Sequence, residues 1–172
     1  MELPPQFIEI GPQCVWLSSS NKLGHEVAFL QDQSIDTFWQ YFTIPFHIRS
    51  DGTLPHQITI ILPELLAFFP AKRLEIYADM SADESYTPFE LSIRAGLLRH
   101  EQQELHLIEL DNPNGEMIIP LEDDSEGPII AHVLSIQINS NYMEGKDSRI
   151  RRVRVIGLPV RYQSAVIFSL VY

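Results

Sequence analysis

The chain has 172 residues, of which 23 are acidic and 12 are basic, so its formal net charge at neutral pH is −11. This length fits one domain, since domains usually hold about 100–200 residues. An apolar fraction of 45% is enough for a full hydrophobic core. The acidic balance argues against binding to nucleic acid or to anionic membranes, because their phosphates attract Lys and Arg. We therefore predict neither as a partner.

The N-terminal part carries one cysteine and no targeting pattern. Met1–Pro5 is neither basic nor followed by an apolar run. Cys14 cannot form an internal disulfide or a Cys-rich zinc site by itself, which favours a reducing compartment, the nucleus or the cytoplasm. Beside Val15 and Trp16 it is predicted to be a small buried residue. The alternative is a thiol nucleophile paired with a distant histidine, although no basic neighbour lowers its pKa.

Apolar and polar residues alternate along most of the chain, a period typical of strands with one buried face. The predicted strands are 58–62, 74–78, 91–95, 105–110, 117–121, 133–138 and 152–156. Within 105–110 the pattern is mixed, which indicates a β-bulge or burial on both faces. Gly, Pro and Asn separate the runs, as at 112–115 and 127–128. This predicts an all-β fold, an antiparallel jelly-roll β-sandwich. Helix is expected only for a short stretch within 24–33 and one turn at 65–69.

Motifs for catalysis or metal binding are missing from the sequence. It contains no nucleophile elbow, no phosphate-binding glycine loop and no His-Glu-x-x-His. No two of the six histidines stand at metal-ligand spacing; they are His25, His47, His56, His100, His106 and His132. The acidic run 122–126 lacks the alternation of a calcium loop, so a solvated turn is expected. We predict a non-enzyme with no metal and no cofactor.

Segments 30–40, 50–56, 76–88, 114–121 and 141–151, taken together and in this order, resemble the Doc domain of the anaphase-promoting complex, and the resemblance covers residues 8–159. The most specific match is Asp83-Glu84-Ser85-Tyr86-Thr87-Pro88, which is similar to the Doc signature. The others are 30–40 with its Thr-Phe-Trp motif, the Ser-Asp-Gly turn 50–56, the turn and strand 114–121, and the loop 141–151. The resemblance implies a galactose-binding-domain-like sandwich over 1–159, followed by a tail at 160–172.

The resemblance also implies a function. Doc-type subunits are non-catalytic parts of a multisubunit ubiquitin ligase of the cell cycle. They act with a propeller coactivator as co-receptors for destruction-box degrons and promote processive ubiquitination. The implied partners are the coactivator, the destruction-box substrates and the cullin-type and helical-repeat subunits of the complex, in the nucleus and cytoplasm.

Family ligand contacts come from loops at one end of the sandwich. Carried over by motif, the candidate degron-binding residues are Ser50, Asp51, His56, Asp83, Ser85, Tyr86, Asn141, Lys146, Asp147, Ser148 and Arg149. For several of them a structural role is an open alternative: His56 can fix its turn, and Asp147 can bond its own loop. Trp39 is expected to be a buried anchor under the loops.

Four features depart from the family pattern. Glu144 stands where the family usually has Asn, and Arg149 where it usually has His. Residues 169–172 replace the Ile-Arg ending that docks on a helical-repeat subunit, so the resemblance does not support that docking. The insertion 41–49 is expected to project from the sandwich or lie along its edge; a translated intron is the alternative.

Two other functions fit the same sequence pattern. One is a carbohydrate-binding module of the galactose-binding-like class, which would favour exposed aromatic residues in the end loops. The other is a Doc-like scaffold that serves a different ubiquitin ligase.

Overall fold

A computed structural model describes residues 7–41, 55–63, 71–121 and 131–157. Within these ranges the chain forms mainly β-strands: β1 (Ile8–Glu9), β2 (Val15–Ser18), β3 (Trp39–Gln40), β4 (His56–Ile61), β5 (Arg73–Asp79), β6 (Pro88–Leu98), β7 (Glu101–Glu109), β8 (Asn114–Pro120), β9 (Val133–Asn141), β10 (Arg149–Ile150) and β11 (Arg152–Gly157). Helix is confined to one α-helical turn, α1 (Met80–Asp83), and to short 3-10 turns at Gly11–Gln13, Val27–Leu30, Glu84–Tyr86 and Tyr142–Glu144.

The strands form two antiparallel sheets and a small ribbon. One sheet has the strand order β2-β4-β9-β6-β7, and the other has the order β1-β11-β5-β8. Strands β3 and β10 pair separately, with Trp39 opposite Ile150. The predicted antiparallel β-sandwich is therefore confirmed.

Alternating aliphatic side chains from the two sheets fill the space between them. Ile58 and Ile60 on β4 are fully buried, as are Leu74 on β5 and Val153 and Val155 on β11. Burying one such side chain contributes about 1.5–3 kcal/mol, so the period-two pattern supplies much of the driving force for folding. The mixed pattern of 105–110 has its explanation in a register shift of the β6–β7 pair between Ile93 and Arg94.

One further prediction differs in detail from the structure, and several others concern residues outside the described ranges. The stretch 24–33 forms only the 3-10 turn Val27–Leu30 and no α-helix. The helix turn at 65–69, the acidic run 122–126, the tail 160–172 and positions 42–49 of the insertion lie outside the described residues. Among the helices that are described, none has the length and apolarity needed to cross a membrane.

The strand register brings two candidate loops and His56 to one end of the sandwich. Pro88, the first residue of β6, lies opposite Asn141, the last residue of β9. His56 begins β4 and pairs with Ile138, three residues before that end. Distant sequence motifs thus meet at one rim, which we call the loop end and define as 83–87 with 141–151.

Candidate ligand site at the loop end

The two segments of the loop end are in direct backbone contact. The Tyr142 N–H donates to the Thr87 carbonyl at 2.9 Å. Gly145 lies against Ser85 so closely that a Cβ at position 145 would stand 1.7 Å from the Ser85 carbonyl oxygen. No side chain fits there, so glycine is required by close approach.

A buried polar network fixes the path of the 141–148 segment. The Asn141 amide nitrogen donates to the carbonyls of Gly145 at 3.0 Å and Asp147 at 3.1 Å. Its carbonyl oxygen accepts from the Ser148 hydroxyl at 2.9 Å. Asn141 is 6% exposed and Ser148 is fully buried, so both side chains are used inside the protein. Because buried polar groups need partners, this network specifies one loop conformation.

His56, the first residue of β4, is a further member of this network. Its Nδ1 lies 2.7 Å from the Ser148 oxygen, and the Tyr41 ring stacks on the imidazole at 3.4 Å between centroids. Since the Ser148 proton goes to Asn141, Nδ1 must carry a proton and donate, which leaves Nε2 as a bare acceptor. Nε2 is buried and has no hydrogen-bond partner. Burial lowers the pKa of His56 from 6.5 to about 4, against a raising effect of Asp147, so the ring is neutral near pH 7.

Asp83, in the Doc-like signature, is a buried residue that forms a two-pronged ion pair with Arg151. Its carboxylate accepts two bonds from Arg151, at 2.8 and 2.9 Å. The same arginine donates to the Ile35 carbonyl at 2.8 Å and so joins three parts of the chain. The hydrogen bonds to Asp83 raise the pKa of Arg151. With 1% of its side chain exposed, Asp83 positions the loop end and offers no surface to a ligand.

Arg149 lies in a column of rings at the surface of the loop end. Its guanidinium carbon stands 3.9 Å from the Tyr86 ring centroid and 4.5 Å from that of Phe38. On the far side of Phe38, the His25 ring stacks at 4.3 Å. Gln40 accepts a bond from Arg149 at 3.1 Å, and an Asp83 oxygen lies at 3.6 Å. The stacking and the bonds hold the cation in one position while 21% of the side chain remains exposed.

Three non-glycine residues of the loop end adopt a positive φ. Glu84 has φ 48° and ψ −120°, and Met143 and Glu144 have φ 52° and 56°. Such conformations are costly for side chains other than Gly, Asn and Asp. At position 144, asparagine would tolerate this conformation better than glutamate does.

The candidate residues separate into a buried group and an exposed group. Buried residues that bond inside the protein are His56, Asp83, Asn141 and Ser148. For these four the structure supports a positioning role and gives no support to direct ligand contact. Residues with exposed or half-exposed surface are Ser85, Tyr86, Lys146, Asp147 and Arg149. Ser50 and Asp51 lie outside the described residues. For the exposed group, ligand contact stays a prediction.

Sequence reasoning missed three parts of this arrangement. In the sequence, Phe38 stands out only as part of the Thr-Phe-Trp motif, and no motif marks Gln40 or Arg151 as a site residue. Trp39 itself is fully buried, as expected, and its indole nitrogen donates to the Asn21 side chain at 2.9 Å. Period two offered one usable signal, because it places Phe38 and Gln40 on the face opposite Trp39.

The alternatives from the sequence find little chemical support. Burial raises the pKa of Cys14 to about 12, so the thiol is not ionised near pH 7 and is a poor nucleophile. Among the described residues, no group of three or more His, Cys, Asp or Glu side chains is arranged to hold a metal ion.

Comparison with known families shows to which protein family the chain belongs. The family model described as "Anaphase-promoting complex, subunit 10 (APC10)" matches residues 5–171. The chain belongs to this family. The resemblance to the Doc domain is thereby confirmed.

Curated members of the APC10 family align over most of the chain. Anaphase-promoting complex subunit 10 of Dictyostelium discoideum is 39% identical over 157 residues, which is 91% of this chain and 77% of that protein. The Homo sapiens subunit of the same name is 36% identical over 147 residues, covering 86% and 73%. Anaphase-promoting complex subunit DOC1 of Saccharomyces cerevisiae is 30% identical, covering 87% and 56%.

Solved structures similar to this APC10-family chain confirm the jelly-roll class. A family 32 carbohydrate-binding module from C. perfringens, solved with galactose, superposes with a TM-score of 0.65 at 14% identity, covering 88% of this chain and 99% of that one. An F5/8 type C domain from Bacteroides fragilis gives 0.60 at 10% identity, covering 90% and 97%. At these identities the likeness shows the fold alone, so the galactose of the first structure does not assign a ligand here.

Proposed function

We propose that this chain is a non-catalytic substrate-recognition subunit of an anaphase-promoting complex. In this role it acts with a propeller coactivator as a co-receptor for destruction-box degrons and works in the nucleus and cytoplasm. The match of the APC10 family model over residues 5–171 carries the assignment to the complex. The loop end supplies the site, because its buried groups fix the backbone and leave a few polar side chains free to contact a peptide.

An extended peptide exposes backbone N–H and C=O groups that have no partner. Ser85 offers a hydroxyl that donates and accepts, while Lys146 and Arg149 offer cationic donors for carbonyls and acidic side chains. Tyr86 adds a flat surface beside them. Ser85 and Lys146 belong to the two segments that Gly145 brings into contact. These four residues form the proposed degron surface.

Such a surface binds weakly by itself. A hydrogen bond of this kind contributes only about 0.5–1.5 kcal/mol net. Useful affinity then arises when the coactivator holds the same peptide, because the second contact becomes intramolecular. This division explains how a module without catalytic groups increases the number of ubiquitins added per encounter.

Ubiquitination by an assembled ligase tests the proposal. The double variant Ser85→Ala/Lys146→Ala removes exposed groups that make no described side-chain bond, so the subunit should fold and join the complex normally. We expect fewer ubiquitins per substrate encounter, measured as product length under single-encounter conditions. Glu101→Ala is the matched surface control, since Glu101 lies beside Leu98 at the opposite end of β6. Product lengths equal to those of the unmodified complex would contradict the proposed surface.

A further inference from the structure

The two long sides of the sandwich are closed differently. On one side, the Trp16 ring of β2 reaches the other sheet beside β1, where its indole nitrogen donates to the Gly11 carbonyl at 2.9 Å. Trp16 is 8% exposed, so its ring seals this side. On the opposite side lie β7 and β8, the edge strands of their sheets in the part of the chain that the structure describes. A groove of about 360 Å³ lies between them, and we call it the β7–β8 groove.

The walls of the β7–β8 groove are apolar side chains that face the core. Ile108 of β7 lies opposite the fully buried Leu91, and Ile119 of β8 lies opposite the fully buried Leu74. Because directly opposed residues share one face of a sheet, Ile108 and Ile119 point into the sandwich. Met117 also lines the groove and is only partly buried. The groove is therefore a section of the hydrophobic core that no described residue covers.

The two edge strands also expose apolar side chains beside the groove. Ile118 of β8 is 63% exposed and Leu107 of β7 is 56% exposed. Among the described strands, β8 pairs only with β5, and β7 pairs only with β6. Proteins usually cover such edges, because apolar side chains beside open backbone N–H and C=O groups invite pairing with other chains. One further strand on β8 would cover both its backbone edge and the groove.

The sequence that follows β11 has the composition of such a strand. Residues 165–172 comprise seven apolar residues and one serine, with no charge. β-Branched and aromatic residues, which are enriched in strands, make up most of this run. Val166, Phe168 and Leu170 occupy every second position, so an extended segment presents all three on one face. This face matches the apolar walls of the groove.

The end of β11 brings this segment within reach of β8. Ile156 lies opposite Arg73, and Arg73 lies opposite Pro120, so β11 and β8 finish at the same end of their sheet. A strand outside β8 is three strand spacings from β11, about 14 Å. Residues 158–164 can span about 23 Å when extended, which is sufficient. The run 165–172 then matches the seven residues of β8 in length and lies antiparallel to it, like the other neighbours in this sheet.

Charge distinguishes this tail from the run 122–126, which follows β8 directly. Glu109 and Asp111 line the groove, and neither makes a hydrogen bond or an ion pair with the described part of the chain. They repel the run 122–126, which has four acidic residues. Residues 158–172 contain one arginine and no acidic residue. The tail therefore suits the groove in charge as well as in shape.

We propose that residues 165–172 of this chain add to β8 as a further strand and close the β7–β8 groove. Val166, Phe168 and Leu170 enter the groove, where Phe168 packs near Met117, and Ser169 faces solvent. The tail is then part of its own domain and not a docking segment for another subunit. This assignment is independent of degron binding at the loop end.

Nuclear magnetic resonance of the full chain tests this placement. In the unmodified chain, nuclear Overhauser contacts should join the Met117 methyl group to side chains of 165–172. The β8 amides that do not bond to β5 should be protected from hydrogen exchange. Phe168→Asp places a charge in the apolar groove, so these amides should exchange at least about tenfold faster. Ser169→Asp makes the same kind of change on the opposite face of the segment and should leave their exchange unchanged.

Several results would overturn the proposal. One is the absence of any contact between Met117 and 165–172, which is measured in the unmodified chain and so does not depend on the folding of a variant. Another is equal exchange of the β8 amides in Phe168→Asp and Ser169→Asp. Free exchange of these amides in the unmodified chain would leave the groove to a segment of another protein. Contacts that form only between molecules, in a mixture of isotope-labelled and unlabelled chains, would make a second copy the occupant.

Discussion

The interior of the sandwich and its loop end are both tightly packed, but they are held by different forces. The interior uses aliphatic side chains such as Ile58 and Val153, which are fully buried and need no specific partner. The loop end uses named pairs: Asp83 with Arg151, and Asn141 with Ser148. Apolar packing tolerates exchange of similar side chains, whereas a buried polar pair loses its balance when one member is removed. A polar loop residue can therefore be structural even where it looks suited to ligand binding.

The largest effect is expected when the buried Asp83–Arg151 ion pair is broken. Asp83→Ala leaves Arg151 partly buried without its carboxylate, and we expect the free energy of unfolding to fall by about 3 kcal/mol. Denaturant unfolding measures this. Glu116→Ala is the matched control, because the Arg152–Glu116 pair at 2.9 Å is more exposed and should cost about 0.2–1 kcal/mol. Equal losses in the two variants would remove the distinction between the loop end and the surface.

The next effect is a pH dependence caused by His56. Its pKa is 6.5 when unfolded and about 4 when folded. The unfolded chain therefore binds a proton first as the pH falls, so stability is fully present above pH 6.5 and is lost between pH 6.5 and 4. The loss attributable to His56 is about 3 kcal/mol. Unfolding free energies at pH 7 and pH 4 should show this difference in the unmodified chain and a smaller one in His56→Gln. The same pH dependence in both would contradict the neutral, buried imidazole.

A smaller effect is expected where the two loop segments touch. Gly145→Ala places a methyl group into the Ser85 carbonyl, so the segments must separate at a cost of about 2 kcal/mol. Amide chemical shifts of residues 84–86 should move in this variant. Gly24→Ala is the control: Gly24 has φ +80° but nothing within 4 Å, so it adds strain without a collision. Unmoved shifts at 84–86 in Gly145→Ala would show that the close approach is not required.

The smallest effect is a stabilisation. Glu144→Asn places a residue that tolerates positive φ at a position with φ 56°, and we expect a gain of about 0.5–1 kcal/mol. Thermal unfolding measures it. Glu109→Asn makes the same change in the exposed edge strand β7 and should bring no gain. A loss of stability in Glu144→Asn would mean that Glu144 makes a contact beyond backbone conformation.

The fold was predictable from the sequence because a strand that is buried on one face has an apolar residue at every second position. All seven predicted strands are present, including β7 with its irregular pattern. The short helix expected within 24–33 is present as one 3-10 turn, because Val27 and Leu30 need no longer helix to reach the core. A short apolar cluster does not distinguish the two kinds of helix.

The site was only partly predictable, for a physical reason. The motifs identified the right loops, yet a single sequence cannot show that Asp83 meets Arg151, which lies 68 residues away. From the sequence alone, polar residues such as Asn141 and Ser148 are expected to be exposed to solvent. Their burial depends on neighbours from other segments of the chain, which the sequence does not reveal. The stacking of Arg149 with the surrounding rings could not be predicted either, because Phe38, Tyr86 and Arg149 come from three distant parts of the chain.

Crosslinking from the loop end tests whether exposed loop-end side chains contact the degron while the buried ones set their position. A photoreactive p-benzoylphenylalanine introduced at Lys146 in the assembled ligase, with coactivator and a destruction-box substrate, should form an adduct with the degron segment. The same group at Glu101 should give no substrate adduct. Mass spectrometry locates the joined residues. An adduct from position 146 that joins another subunit, or a substrate adduct that forms equally from position 101, would contradict the account.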